Sequence, residues 1–200
     1  HIERVVRNGR QLLHLINDAL EMARSSANKI QIHPALAEVQ EIIQAVVEIV
    51  QPLIDNRGLK FVLDCNNAPA QVLTDAFRLQ QILINLLSNA IRYTEAGSIT
   101  LACRSLDSDT WEVAVMDTGI GIALEEQSQI FEPFYRVTSP HQSPLPDSTG
   151  LGLAIVSQLV ELLQGKITLT SQVGMGSTFA IVLPQTMVVN SLDFQIAASG

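Results

Sequence analysis

Trp111-Glu112-Val113-Ala114-Val115-Met116-Asp117-Thr118-Gly119-Ile120-Gly121 is the stretch on which the reading of this chain turns. Residues 111–116 read as a buried strand, and a carboxylate follows directly at its end. Gly119 and Gly121 then let the backbone turn sharply and come close to a ligand. Residues 98–105 read as a partner strand, joined to the first by the polar turn Asp107-Ser108-Asp109. An ordinary turn after a strand explains Asp117-Thr118-Gly119-Ile120-Gly121 about as often as a ligand loop does, so its meaning depends on the rest of the chain.

Downstream, residues 135–149 are rich in Pro and Ser and show no periodicity, as expected of a functional lid or a disordered loop. A helix follows over about 150–163, ended by Gly165, and strands 166–171 and 177–183 form a hairpin around Gly174-Met175-Gly176. Upstream, Asp75 stands as an N-cap before a strongly apolar helix reaching Tyr93. Strands are expected at 59–63 and 71–73, a helix at 39–57 capped by Gly58, and a short strand at 29–33 ended by Pro34. Residues 1 to about 27 read as one long amphipathic helix that needs a partner: this chain's own domain or, the favoured reading, an antiparallel hairpin or a dimeric bundle. The interleaving of helices and hairpins predicts an α/β fold: a two-layer sandwich of a mixed five-stranded sheet with about three helices on one face, preceded by a long helix. The expected divisions are residues 1–28, 29–186 and a C-terminal extension, 187–200.

With 47% hydrophobic and 16% charged residues, the 200-residue chain can bury a core. A net charge of −8 disfavours nucleic acid or an anionic membrane as the main partner. It leaves room for an anionic ligand held by backbone amides and a metal ion. Cys65 and Cys103 are far apart in sequence, form no metal-ligand pattern and read as buried free thiols, which fits a reducing cytoplasm. No apolar run approaches the ~18–20 residues of a membrane span. No signal peptide is expected either, and the abrupt start within a helical pattern reads as a fragment of a longer protein.

Three further features carry chemistry. An Asp at a strand end can accept a hydrogen bond from an exocyclic amine such as that of adenine. Thr149-Gly150-Leu151-Gly152-Leu153-Ala154 opens a helix whose amides face outward at the positive end of the dipole, a phosphate site without the P-loop Lys. Asn85 and Asn89 lie four apart on an otherwise apolar helix, and buried amides need partners; a metal ion with phosphate oxygens would supply them. Arg92 suits a phosphate and Tyr93 a base. Each feature alone has a bland alternative, such as a helix start with small residues or asparagines that cap backbone.

Together they resemble the ATP-binding domain of sensor histidine kinases, a Bergerat-type fold shared with gyrase, Hsp90 and MutL. The residues from Asn85 to Thr94 resemble the N box, Asp117 to Gly121 the G1 box and Phe131-Glu132-Pro133-Phe134-Tyr135 the F box. Gly150-Leu151-Gly152-Leu153 resembles the G2 box and Gly176-Ser177-Thr178-Phe179 the closing strand. The resemblance implies ATP and Mg²⁺ as cofactors, with Asn89 and Asn85 at the metal. It implies phosphate contacts from Arg92 and Arg136 and from the lid and its hinge at Thr149, Gly150, Leu151, Gly152 and Leu153. The base would lie among Tyr93, Asp117, Gly119, Gly121, Ile122 and Thr178.

The wider superfamily's ATPases carry a Glu at the position of Asn85, as general base for water. An amide there disfavours hydrolysis and favours phosphoryl transfer to another residue. The first helix resembles the second helix of a dimerisation hairpin, but no phosphoacceptor His is recognisable: His1, His14, His33 and His141 all lack the expected context. Ser148 and the prolines Pro140, Pro144 and Pro146 depart from the usual lid. The implied partners are the phosphoacceptor hairpin of the same protein, the receiver domain of a response regulator, and a second copy in a homodimer. The implied compartment is the cytoplasm, with a parent chain free to be membrane-anchored. A nucleotide-binding scaffold and a hydrolase are the competing readings.

Overall fold

The computed structural model describes residues 30–136 and 150–188. The expected helix over 1–28, residues 137–149 and residues beyond 188 lie outside the described residues.

Ten elements follow in order: β1 (Ala35–Glu38), α1 (Val39–Arg57), β2 (Lys60–Asn67), β3 (Gln71–Thr74), α2 (Ala76–Tyr93), β4 (Ser98–Ser105), β5 (Thr110–Asp117), α3 (Gly152–Leu162), β6 (Lys166–Gln172) and β7 (Gly176–Pro184). The main sheet has the strand order β2-β4-β5-β7-β6, and β1 with β3 forms a small separate ribbon. β2 and β4 run parallel, and every other neighbour in the main sheet is antiparallel. The parallel pair needs a crossover, and α2 supplies it. The expected mixed five-stranded sheet with three helices is thus the observed one.

Alternate residues of the central strands face the helices and are buried: Ile99, Leu101 and Cys103 on β4, Trp111, Val113 and Val115 on β5, Phe179, Ile181 and Leu183 on β7. α2 lies between α1 and α3 and against β4 and β5, burying Leu79, Ile82, Leu83, Leu86, Leu87, Ala90 and Ile91. α1 buries Val39, Ile42, Ile43, Val46, Val50 and Ile54 at helical spacing. Its C-cap, Gly58, is left-handed at φ 65, and its amide reaches the carbonyls of Asp55 and Ile54. Asp75 caps α2 as expected, accepting from the Arg78 amide at 3.1 Å.

One strand stands elsewhere than expected. The first ribbon strand follows Pro34 instead of preceding it, because Ala35–Glu38 is the segment that pairs with Gln71–Thr74. A proline has no amide for a ladder and sits comfortably just outside one. The residues before it are held at the start of α2, where the His33 amide donates to Asp75 Oδ2 at 2.8 Å.

Met187 and Val188 are tied to the rest of the domain. The Met187 amide donates to the Leu73 carbonyl at 3.1 Å, and its side chain is 4% exposed. Val188 and Gln164 exchange two hydrogen bonds, of 3.0 and 2.8 Å.

Parallel pairing of β2 with β4 also brings the two cysteines together. Cys103 is buried, and its thiol is pushed up by its hydrogen bond with Cys65 and by burial; Cys65 is half-buried and is pulled down by that same bond. Thiolate fraction and access both favour Cys65. Iodoacetamide should therefore label Cys65 faster than Cys103 by on the order of tenfold or more. Peptide mapping of the alkylated protein checks this, and equal labelling would contradict the pairing.

Candidate functional site

Asp117 is the last residue of β5, with Ile99 opposite on one side and Ser177 on the other. Its carboxylate is half-buried. Burial pushes the carboxyl above its ordinary range, against the pull of the Gly119 and Ser177 amides that donate to it. The Gly119 bond measures 2.8 Å and goes to Oδ1. The turn that follows is tightly enclosed. A Cβ on Gly119 would strike the carbonyl of Tyr93 and stand 2.8 Å from Asp117 Oδ1. Gly121 sits at φ 68, where a Cβ would strike the carbonyl of Gln172. The Ile120 amide donates to the Tyr93 carbonyl at 3.2 Å, and the Ile120 carbonyl accepts from Gly174 at 2.8 Å. The loop is therefore fixed between the end of α2 and the β6–β7 hairpin.

α2 carries Asn85, Asn89 and Tyr93 at successive intervals of four, on one face. The asparagines are half-buried, and neither amide has a hydrogen-bond partner among the described residues. At one end of this stripe is the Asp117 turn; at the other is the start of α3. A Cβ on Gly152 would stand 3.5 Å from Asn85 Oδ1, so this amide faces the first turn of α3. That helix begins at Gly152, after an N-cap residue, Leu151, that offers no side-chain cap, so the amides of its first turn are donors for a ligand. From Asn85 to Tyr93 the helix rises about 12 Å, room for a base, a sugar and phosphates laid end to end.

The remaining expected residues divide. Ile122 donates its amide to Ser171 Oγ at 2.8 Å beside the Asp117 corner. Arg92 is half-buried in the last turn of α2, where its carbonyl receives Arg57 Nη1 at 3.2 Å. Leu151 is buried, Leu153 packs on the core, and Arg136 is exposed. Gly150, at φ 72, accepts from the Phe134 amide at 2.9 Å, which ties the G2 glycines to the F box. Thr149 lies outside the described residues.

Thr178 is not beside Asp117. It pairs with Met116 and Thr170 and so points to the opposite face of the sheet. Ser177 is the residue across from Asp117, 7% exposed, with its hydroxyl 2.9 Å from that of Ser171. By the alternation of the strand, Ser177 and not Thr178 shares the face of Asp117. Ser177, Ser171 and Gln127, whose amide nitrogen donates to the carbonyls of Ile122 and Ser171 at 3.0 Å, were not among the expected residues.

A nucleotide fits these groups: an acceptor with few donors near it at one end, unpartnered amides and helix-terminal N–H groups at the other. Among the described residues no group of three His, Cys, Asp or Glu could hold a metal ion. The Asn85 and Asn89 oxygens suit Mg²⁺, which takes one or two protein oxygens beside phosphates and water.

Comparison with known proteins agrees. Residues 74–187 match the family described as histidine kinase-, DNA gyrase B- and HSP90-like ATPase. The autoinducer 2 sensor kinase/phosphatase LuxQ of Vibrio cholerae is 36% identical over 94% of this chain and 22% of its own length. The aerobic respiration control sensor protein ArcB of Escherichia coli K12 is 33% identical over 90% of this chain and 23% of its own. The chain thus spans about a fifth of the length of these relatives. Full-length ShkA, solved in complex with AMPPNP, superposes with a TM-score of 0.79 at 32% identity, over 89% of this chain and 36% of that one. The family match alone takes in more than half of the residues, and the chain belongs to the histidine kinase-, DNA gyrase B- and HSP90-like ATPases.

Proposed function

We propose that the chain is the ATP-binding catalytic module of a two-component sensor histidine kinase. It transfers the γ-phosphoryl group of Mg-ATP to a His on a dimerisation hairpin of the same protein, from which an Asp of a response-regulator receiver domain takes it. The observation that carries this reading is Asn85 against the first turn of α3. The group standing beside the expected phosphates is an amide, which cannot take a proton from water near neutral pH. Asn85 and Asn89 would hold the metal, which would supply charge neutralisation at the phosphates. Arg92 and Arg136 serve the phosphates, with the segment 135–149 as lid, and Asp117 with Ser177 serves the base. The working unit is a homodimer.

The compartment proposed is the cytoplasm, where ATP is; among the described residues no helix is long and apolar enough to cross a membrane. Labelled ATP incubated with this chain and a separate acceptor hairpin should give acid-labile, base-stable phosphohistidine on the hairpin. The chain alone should show ATP turnover no faster than background. Steady hydrolysis by the chain alone would overturn the role given to Asn85. Tight ATP binding with no phosphohistidine on any hairpin would make the chain a nucleotide-binding scaffold.

A further inference from the structure

We propose that Ser171 sets the nucleobase preference of this site by fixing the direction of the Ser177 hydroxyl proton. The inference rests on the nucleotide reading above. A serine hydroxyl has one proton to donate and two lone pairs to accept with. Ser171 Oγ has three close neighbours: the Ile122 amide at 2.8 Å, the Gly176 carbonyl at 3.0 Å and Ser177 Oγ at 2.9 Å. The amide can only donate and the carbonyl can only accept. Ser171 therefore commits its proton to Gly176 and one lone pair to Ile122. The lone pair that remains receives the proton of Ser177. Gln127 holds the same segment through the carbonyls of Ile122 and Ser171, both at 3.0 Å.

Ser177 is thereby left as an acceptor only. It stands across from Asp117, whose carboxylate takes the Gly119 and Ser177 amides and, with two lone pairs on each oxygen, keeps acceptor capacity for a further donor. Two acceptors at one corner complement an exocyclic amine, which brings two donors. They oppose a carbonyl oxygen in the same place, whose lone pairs would face lone pairs. A 6-aminopurine is favoured and a 6-oxopurine refused. Ser171 itself touches no base, so it is a positioning residue that acts through Ser177.

The test measures equilibrium binding of ATP and of inosine triphosphate to the full chain, in the wild type, Ser171→Ala and Ser171→Thr. The wild type should prefer ATP. In Ser171→Ala the Ser177 hydroxyl is free to donate to the 6-oxo group, and the ATP preference should shrink about tenfold, or about 1.4 kcal/mol. Ser171→Thr keeps the hydroxyl and should keep the preference. An equal loss of both affinities in Ser171→Ala, the result of a merely structural role, would overturn the proposal. If Ser171→Ala does not fold, Ser177→Ala takes its place. It removes the acceptor, so ATP should weaken while inosine triphosphate holds, and a parallel fall of both would overturn it. A wild-type chain that binds neither nucleotide overturns this proposal together with the nucleotide reading. A wild type that binds ATP and inosine triphosphate equally overturns this one alone.

Discussion

Asp117→Asn should lower ATP affinity about 100-fold or more, measured by isothermal titration. The Gly119 amide donates to Oδ1, so an asparagine here keeps its oxygen on that side. Its NH₂ then replaces Oδ2, and a donor stands where the base's amine needs an acceptor. Loss of a charged acceptor costs about 1.5–3 kcal/mol, and an unpaired donor adds about 1–3. A sum of about 3 kcal/mol is more than two decades in affinity. The free protein should respond in the opposite sense. Burial holds the folded-state carboxyl above its unfolded value, so its contribution to stability is fully present below the unfolded value and is lost as pH rises through the folded one. At neutral pH the ionised Asp117 is a burden on the fold that asparagine removes. The variant without nucleotide should therefore melt no lower than wild type at pH 7. Unchanged affinity would overturn the assignment of this corner to the base. The same rise makes the wild type lose ATP affinity on acidification earlier than an exposed carboxylate would dictate, a trend a titration from pH 7 downward reads directly.

Leu87→Ala should destabilise the fold by about 2–5 kcal/mol. Leu87 is fully buried at 0% exposure, in the helix that lies between α1 and α3 and on the sheet. It sits between Asn85 and Asn89 in sequence but faces the core, so its loss loosens the element on which both amides are mounted. At roughly 2–4 °C per kcal/mol for a domain of this size, the melting temperature should drop on the order of 10 °C. Leu87→Met conserves volume and should cost below about 1.5 kcal/mol. Thermal unfolding of the two variants side by side checks this. A loss below about 1 kcal/mol in the alanine variant would mean that α2 is not packed as described.

Where sequence and structure differ, the cause is tertiary in each case. The helical stripes of α1 and α2, the Asp75 cap and the Gly58 stop are local patterns, and each is legible in the sequence alone. The β4–β5 and β6–β7 hairpins were readable for the same reason. Strand register is not local. Nothing in the string of letters says that Asp117 faces Ser177 and not Thr178, because only pairing across β5 and β7 decides it. The same holds for Cys65 and Cys103, which meet through a parallel pairing whose two strands are separated by a whole helix. Ser171 is not legible for a further reason: its role depends on three partners from two distant segments. For the first ribbon strand, the alternation before Pro34 is strand-like, while the partner strand selects the residues after it.

The hydrogen bond from the Phe134 amide to the Gly150 carbonyl has a consequence of a polymer kind. The two ends of the segment between them are fixed by the scaffold, whatever chain connects them. The entropic cost of joining two fixed points rises only with the logarithm of the length between them, about 0.6 kcal/mol for each doubling. Residues inserted into or removed from that segment should therefore leave the fold almost untaxed, and the segment can diverge in length and sequence faster than the two ends that hold it.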